Sequence, residues 1–179
     1  MESREATELL RATCPECGGK ALDGLDCQGM FGALLAWEWQ DPDLLRVHFL
    51  TVSSYQLQHP ASLTDEAVRG LQGAFARYLD GEVTTAQIRA QMANTFDGAT
   101  RVRQSAGDIQ PLLRAWSMTV ADVYAGGQIG AAARVRAWAQ VVRVEGGLEH
   151  SQARRVVPDG WRPTSAGRPA PDTGIDPTG

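Results

Sequence analysis

The break at Asp41-Pro42-Asp43, set between two runs of helical periodicity, constrains this 179-residue chain more than any other feature. From Cys27 onward, Met30, Phe31, Leu34, Leu35 and Glu38 fall on one helix face. Asp41 is a good N-cap and Pro42 suits a first helical position, so a further helix is expected from about Asp43 to His59, where Pro60 stops it. That helix is apolar almost all round, with Leu44, Val47, Val52 and Tyr55 on one side and Leu45, Phe49 and Leu57 on the other, which places it centrally in a bundle. A connection this short makes the two helices an antiparallel pair.

Helical signals recur along the chain. A short helix is expected over residues 2–12, followed by a loop from Thr13 to Asp26 that lacks any period. A helix opens at Ser62 or Thr64 with Asp65 and Glu66 in its first turn, carries Val68, Leu71, Phe75 and Tyr78, and stops at Gly81. Thr84 or Thr85 opens the next, with Ile88, Met92 and Phe96 inward, and residues 98–116 read as irregular around Pro111. Thr119-Val-Ala-Asp122 resembles a capping box with Asp in the usual Glu place, and a last helix near 130–144 shows Val135, Trp138, Ala139 and Val142 at helical spacing. No segment alternates with period two for long enough to demand a strand. The expected fold is all-α: a helical bundle over residues 1–157 with an N-terminal cysteine-rich, knuckle-like metal-binding loop at 13–27. The Pro-rich tail 158–179 has no core pattern and is expected to be disordered.

Charge and cysteine usage limit the functions available. A net charge of -4 and a pI near 5.4 argue against broad electrostatic capture of nucleic acid. No apolar run approaches membrane-spanning length and MESREATELL does not resemble a secretory leader, so a soluble, cytoplasmic chain is expected. Three cysteines are an odd number for a disulfide framework. Two of them form Cys14-Pro-Glu-Cys17-Gly-Gly, the tight turn of metal knuckles, and Cys27 lies ten residues on. With no βαβ pattern around it, a redox role for the C-x-x-C is the weaker reading.

Hairpin geometry assigns the histidines. His48 and His59 are eleven residues apart, which on one helix means nearly the same direction but about 16 Å of axial separation. One ion, about 2 Å from each ligand, cannot touch both. Folding the chain about Asp41-Pro42 instead brings Cys27 within about a turn of His59, and Glu38 within about a turn of His48. Cys14, Cys17, Cys27 and His59 would then make a three-thiolate, one-imidazole tetrahedron suited to one zinc ion, structural because no position stays open. His48, His150 or water are the alternatives for the fourth position. The competing reading leaves the thiols reduced and His59 capping its helix. At the other end, Glu38, His48 and Tyr55 are candidate catalytic residues of an acid–base cleft, set against a simple satisfied polar contact.

The order CPECGG, FGALLAWEWQDPDLLRVHFLTVSSYQLQHPASL, WSMTVADVYAG and RVRAWAQVV resembles the bacterial domain of unknown function DUF5946 across residues 14–142. The shared pattern is Cys-Pro-x-Cys-Gly, a central His followed by a Val, a Tyr and Gln-His-Pro, then Thr-x-x-Asp-Val and a late Trp-Ala. It touches Cys14, Cys17, His48, Tyr55, Gln58, His59, Asp122 and Trp138. The chain departs at its far end, where VVRVEGGLEH replaces a Trp-rich finish. The resemblance implies a helical domain and supplies no activity. Three functions therefore stand: a zinc-stabilised module that binds a protein partner or a second copy, a hydrolase or transferase (including a variant with water in place of His59 on a three-cysteine metal), and a metal-free scaffold.

Overall fold

The structure is a computed structural model that describes residues 13–95, 102–105, 109 and 111–148. The expected helix over 2–12, Phe96, His150 and the tail 158–179 lie outside the described residues.

Among the described residues there are seven α-helices and no strand: α1 (Cys27–Glu38), α2 (Pro42–Arg46), α3 (His48–Gln58), α4 (Asp65–Leu79), α5 (Thr85–Thr95), α6 (Val120–Ala125) and α7 (Ala131–Glu145). The start signals are chemically satisfied. Asp26 caps α1 by accepting from Gly29 N–H at 2.8 Å, Asp41 accepts from Asp43 and Leu44 N–H, and Thr64 accepts from Ala67 N–H. The expected capping box at Thr119 and Asp122 is present. Thr84 and Gln87 make a second one, each side chain accepting from the other's backbone N–H. Helix α4 ends where Gly81, at φ 72°, allows Gly81 N–H to reach the Tyr78 carbonyl and Glu82 N–H to reach Arg77.

The expected single helix from Asp43 to His59 is divided. Val47 departs from α geometry, and its N–H reaches back to Leu44 at 3.0 Å, a tighter i−3 bond. Leu44, Val47 and Leu50 are all buried. Leu45, expected inside, is 52 % exposed.

Helix α3 is central, packing chiefly on α7 and α4, while α1 packs chiefly on α6. It buries Leu50 and Leu57 together with the small residues Thr51, Ser53 and Ser54, which let its neighbours approach closely. Trp138, Val135, Ala139 and Val142 of α7 are fully enclosed, in agreement with their spacing in the sequence. Each fully buried aliphatic or aromatic side chain stabilises the fold by roughly 1.5–3 kcal/mol. Gln58 is the polar pivot of this core: its amide donates to the Met118 carbonyl at 2.8 Å and accepts from Trp138 Nε1 at 3.1 Å. No described helix is long and apolar enough to cross a membrane.

Candidate metal centre

Backbone turns deliver the cysteines. Cys14 N–H bonds the Gly19 carbonyl at 2.8 Å and Gly18 N–H bonds the Cys14 carbonyl at 3.0 Å, closing a knuckle that brings Cys14 and Cys17 together. Gly18 adopts φ 72°, a conformation open to glycine at little cost. At Gly19 a Cβ would stand 3.0 Å from Thr119 Oγ1 and 3.1 and 3.2 Å from the Cys17 and Cys27 sulfurs, so a larger residue would press on all three. Leu22 and Leu25 then exchange backbone hydrogen bonds across Asp23 and Gly24, both at positive φ, a tight reversal that leads into Asp26 and α1. Cys27 is the first residue of α1, and His59 caps the far end of α3.

These elements converge. One ligand atom from each of Cys14, Cys17, Cys27 and His59 lies within 4.8 Å of the other three, and the group could hold a metal ion. Cys14 Sγ and His59 Nε2 are 3.3 Å apart and Cys17 Sγ and Cys27 Sγ 3.5 Å. Tetrahedral ligands about 2.0–2.3 Å from a zinc ion are themselves spaced by about 3.3–3.8 Å, so these separations fit. All three cysteines are free thiols. His59 Nδ1 is 2.8 Å from the Tyr55 carbonyl, to which it donates, and this leaves Nε2 as the lone-pair nitrogen turned to the sulfurs. Gly19 N–H donates to Cys17 Sγ at 3.3 Å. Such donors favour thiolate.

Protonation within the cluster is uneven. The hydrogen bond from Cys27 holds Cys17 down to about 4 against the opposing effect of burial, with His59 adding to the lowering. That same bond, together with burial, pushes Cys27 up, and burial raises Cys14. Burial works to lower His59, but the hydrogen bond and charge of Cys17 outweigh it and the net shift is upward. Tyr55 is raised by burial and by the neighbouring sulfurs.

Support around the four residues comes from side chains that the spacing did not reveal. Glu16, inside the knuckle, accepts Ala61 N–H on its carboxylate at 2.9 Å and Arg114 N–H on its carbonyl at 2.8 Å. It thus fastens the knuckle to the chain just after His59 and to the loop before α6. Its partners are 45 and 98 residues away, and no local pattern signals them. Tyr55 lies between Phe31 and His59, both ring centroids 4.1 Å from its own. That column holds the imidazole plane and accounts for the tyrosine four residues ahead of the histidine.

Glu38 and His48 meet at the other end of the hairpin, as its geometry requires, with Glu38 Oε2 2.5 Å from His48 Nδ1. Glu38 is 4 % exposed and its Oε1 is buried without a partner, whereas the His48 side chain is 46 % exposed. Tyr55 does not join them. Seven residues beyond His48, about 10 Å further along α3, it belongs to the cysteine end instead. Of the flanking tryptophans, Trp37 stacks on Tyr124 and Trp39 is 87 % exposed. A hollow of about 540 Å³ beside the α2–α3 break is lined by Arg46, Val47, Leu50, Tyr78 and Arg136 among others, and by none of the three candidate catalytic residues.

No curated protein and no solved structure matches this chain. The pattern of a family of unknown function, DUF5946, matches residues 12–145, which contain every described helix and Cys14, Cys17, Cys27 and His59. The chain belongs to the DUF5946 family.

Proposed function

We propose that Cys14, Cys17, Cys27 and His59 bind one zinc ion as a structural centre, and that the domain is a binding module whose contact surface this centre holds in place. The supporting observation is the convergence of three thiols and an imidazole whose Nε2 is aimed at them by the Tyr55 carbonyl. Zinc suits this soft and borderline set, and four protein ligands leave no coordination position for a substrate. The bound ion would supply cross-linking, tying the N-terminal knuckle to α1 and α3.

Through Glu16 and Gly19 the knuckle also touches the segment from Pro111 to Thr119, where Leu112 and Leu113 are 85 % and 63 % exposed. Paired exposed leucines on a fastened loop suit an apolar protein surface, either a different protein or a second copy of this chain. Elemental analysis of tag-free protein beside the Cys27→Ser variant tests the reading. About one zinc per chain in the first and little in the second is expected; no metal in either would overturn it. Light scattering before and after Leu112→Asp separates a second copy from another partner.

A second reading, acid–base chemistry at Glu38 and His48, is favoured by their contact and by the unpartnered Glu38 oxygen. Ester and phosphoester turnover lost on His48→Gln would support it, and equal rates in both proteins would remove it.

A further inference from the structure

The three sulfurs of the cluster are not equivalent. Cys17 and Cys27 are 1 % and 5 % exposed, lying under the Gly19 backbone and Thr119, while Cys14 is only part-buried. A small molecule arriving from solvent meets the Cys14 sulfur first. Bound to the ion of the zinc reading, Cys14 would be a thiolate, the nucleophilic form of cysteine. Cys14 and Cys17 share one short turn closed by Cys14–Gly19 and Gly18–Cys14 backbone bonds, so their sulfurs can draw together by rearranging the knuckle alone. Cys27 is held differently. It is the first residue of α1, and it lies in the buried core with Met30 and Leu34, so drawing its sulfur toward Cys14 requires movement of a packed helix.

We propose that Cys14 is a modification site for small peroxides, and that its oxidation opens the metal centre; the inference rests on the zinc reading given above. In the first step the Cys14 thiolate attacks one oxygen of hydrogen peroxide. The S–O bond forms, the O–O bond breaks and hydroxide leaves, so that sulfur loses two electrons and peroxide gains them. In the second the Cys17 thiolate attacks the Cys14 sulfenic sulfur, forming the S–S bond and expelling a second hydroxide. The sum is two thiolates and one peroxide giving one disulfide and two hydroxides. Cys27 and His59 then remain as the only protein ligands, too few for a structural zinc site. The disturbed knuckle also carries the Glu16 contacts to Ala61 and Arg114, so release of the ion loosens the loop that presents Leu112 and Leu113.

The test uses the full chain after its zinc content has been measured. Hydrogen peroxide is added, released zinc is followed with a colorimetric chelator, and cysteine products are mapped by mass spectrometry with a sulfenic-acid trap present or absent. The expected result is trapped sulfenic acid at Cys14, a Cys14–Cys17 disulfide without the trap, and one zinc released for each disulfide formed. In Cys14→His, which keeps a nitrogen ligand at that position, release should slow by about tenfold or more, since imidazole lacks the oxidisable sulfur. Zinc-loaded protein whose first oxidised residue is Cys17 or Cys27, or which loses zinc with Cys14 unmodified, overturns the inference. So does loaded protein that keeps all three thiols reduced. Absence of zinc before peroxide is added overturns the zinc reading itself, and the inference with it; should Cys14→His not fold, the wild-type map decides alone.

Discussion

The two ends of the α1–α3 hairpin began from similar material, a histidine of one segment facing a polar residue of the other, and became different sites. At the open end His59 is joined by three cysteines, two of them from a knuckle outside the hairpin, and Cys17 and His59 each have an orienting hydrogen bond. At the closed end His48 meets Glu38 alone, is half exposed, and leaves a buried carboxylate oxygen without a partner. The hairpin thus positions two groups wherever its helices face each other, and a metal-competent set arises only where a further segment of chain closes over one end. The difference teaches that convergence of donors distinguishes the sites, since buried polar character is common to both.

The comparison can be broken most forcefully at Cys17. Cys17→Ala should abolish metal binding and lower thermal stability severely, since structural zinc contributes roughly 10 kcal/mol or more in small zinc domains. Calorimetry with and without chelator checks this, and a variant that melts like the wild type would make the two ends equivalent. Acid should act on the same end. Cys17, held down to about 4 from 9.0, contributes stability that is complete above 9.0 and lost as pH falls through about 4. His59, raised from 6.5, contributes stability that is complete below 6.5 and lost as pH rises past it. The two slopes oppose each other above 6.5, and below it only the cysteine slope remains. Melting temperature of the metal-free protein should therefore drop steadily as pH is lowered from 6.5 toward 4; a flat profile there contradicts the assignment.

Smaller effects sharpen the contrast. His48→Gln should leave metal content unchanged and cost about 1–2 kcal/mol, the loss of a hydrogen-bond partner for buried Glu38. Metal lost from this variant would join the two sites into one. Glu16→Gln keeps an acceptor for Ala61 N–H but removes its charge, and should weaken zinc affinity by about tenfold, the lower range for an outer partner of a metal site. Competition with a chelator of known affinity measures it, and an unchanged affinity would make Glu16 a contact of the loop alone.

The sequence by itself determined the helices and the pairings of the hairpin. Asp41, Thr64 and Thr119 cap where local chemistry said they would, because a cap depends on residues within three or four positions. The short Asp41-Pro42 connection was enough to set Cys27 near His59 and Glu38 against His48, because a tight reversal fixes register through simple counting. Tertiary structure alone decided the break at Val47, where Leu44, Val47 and Leu50 are all buried. It likewise moved Tyr55 from the expected cleft to the imidazole of His59, since a ring at half-buried depth takes the neighbours that packing supplies. Glu16, Gly19 and Gln58 acquired their roles from groups 45 to 100 residues away. Periodicity and spacing carry local information, whereas those contacts exist only after the helices have chosen their neighbours.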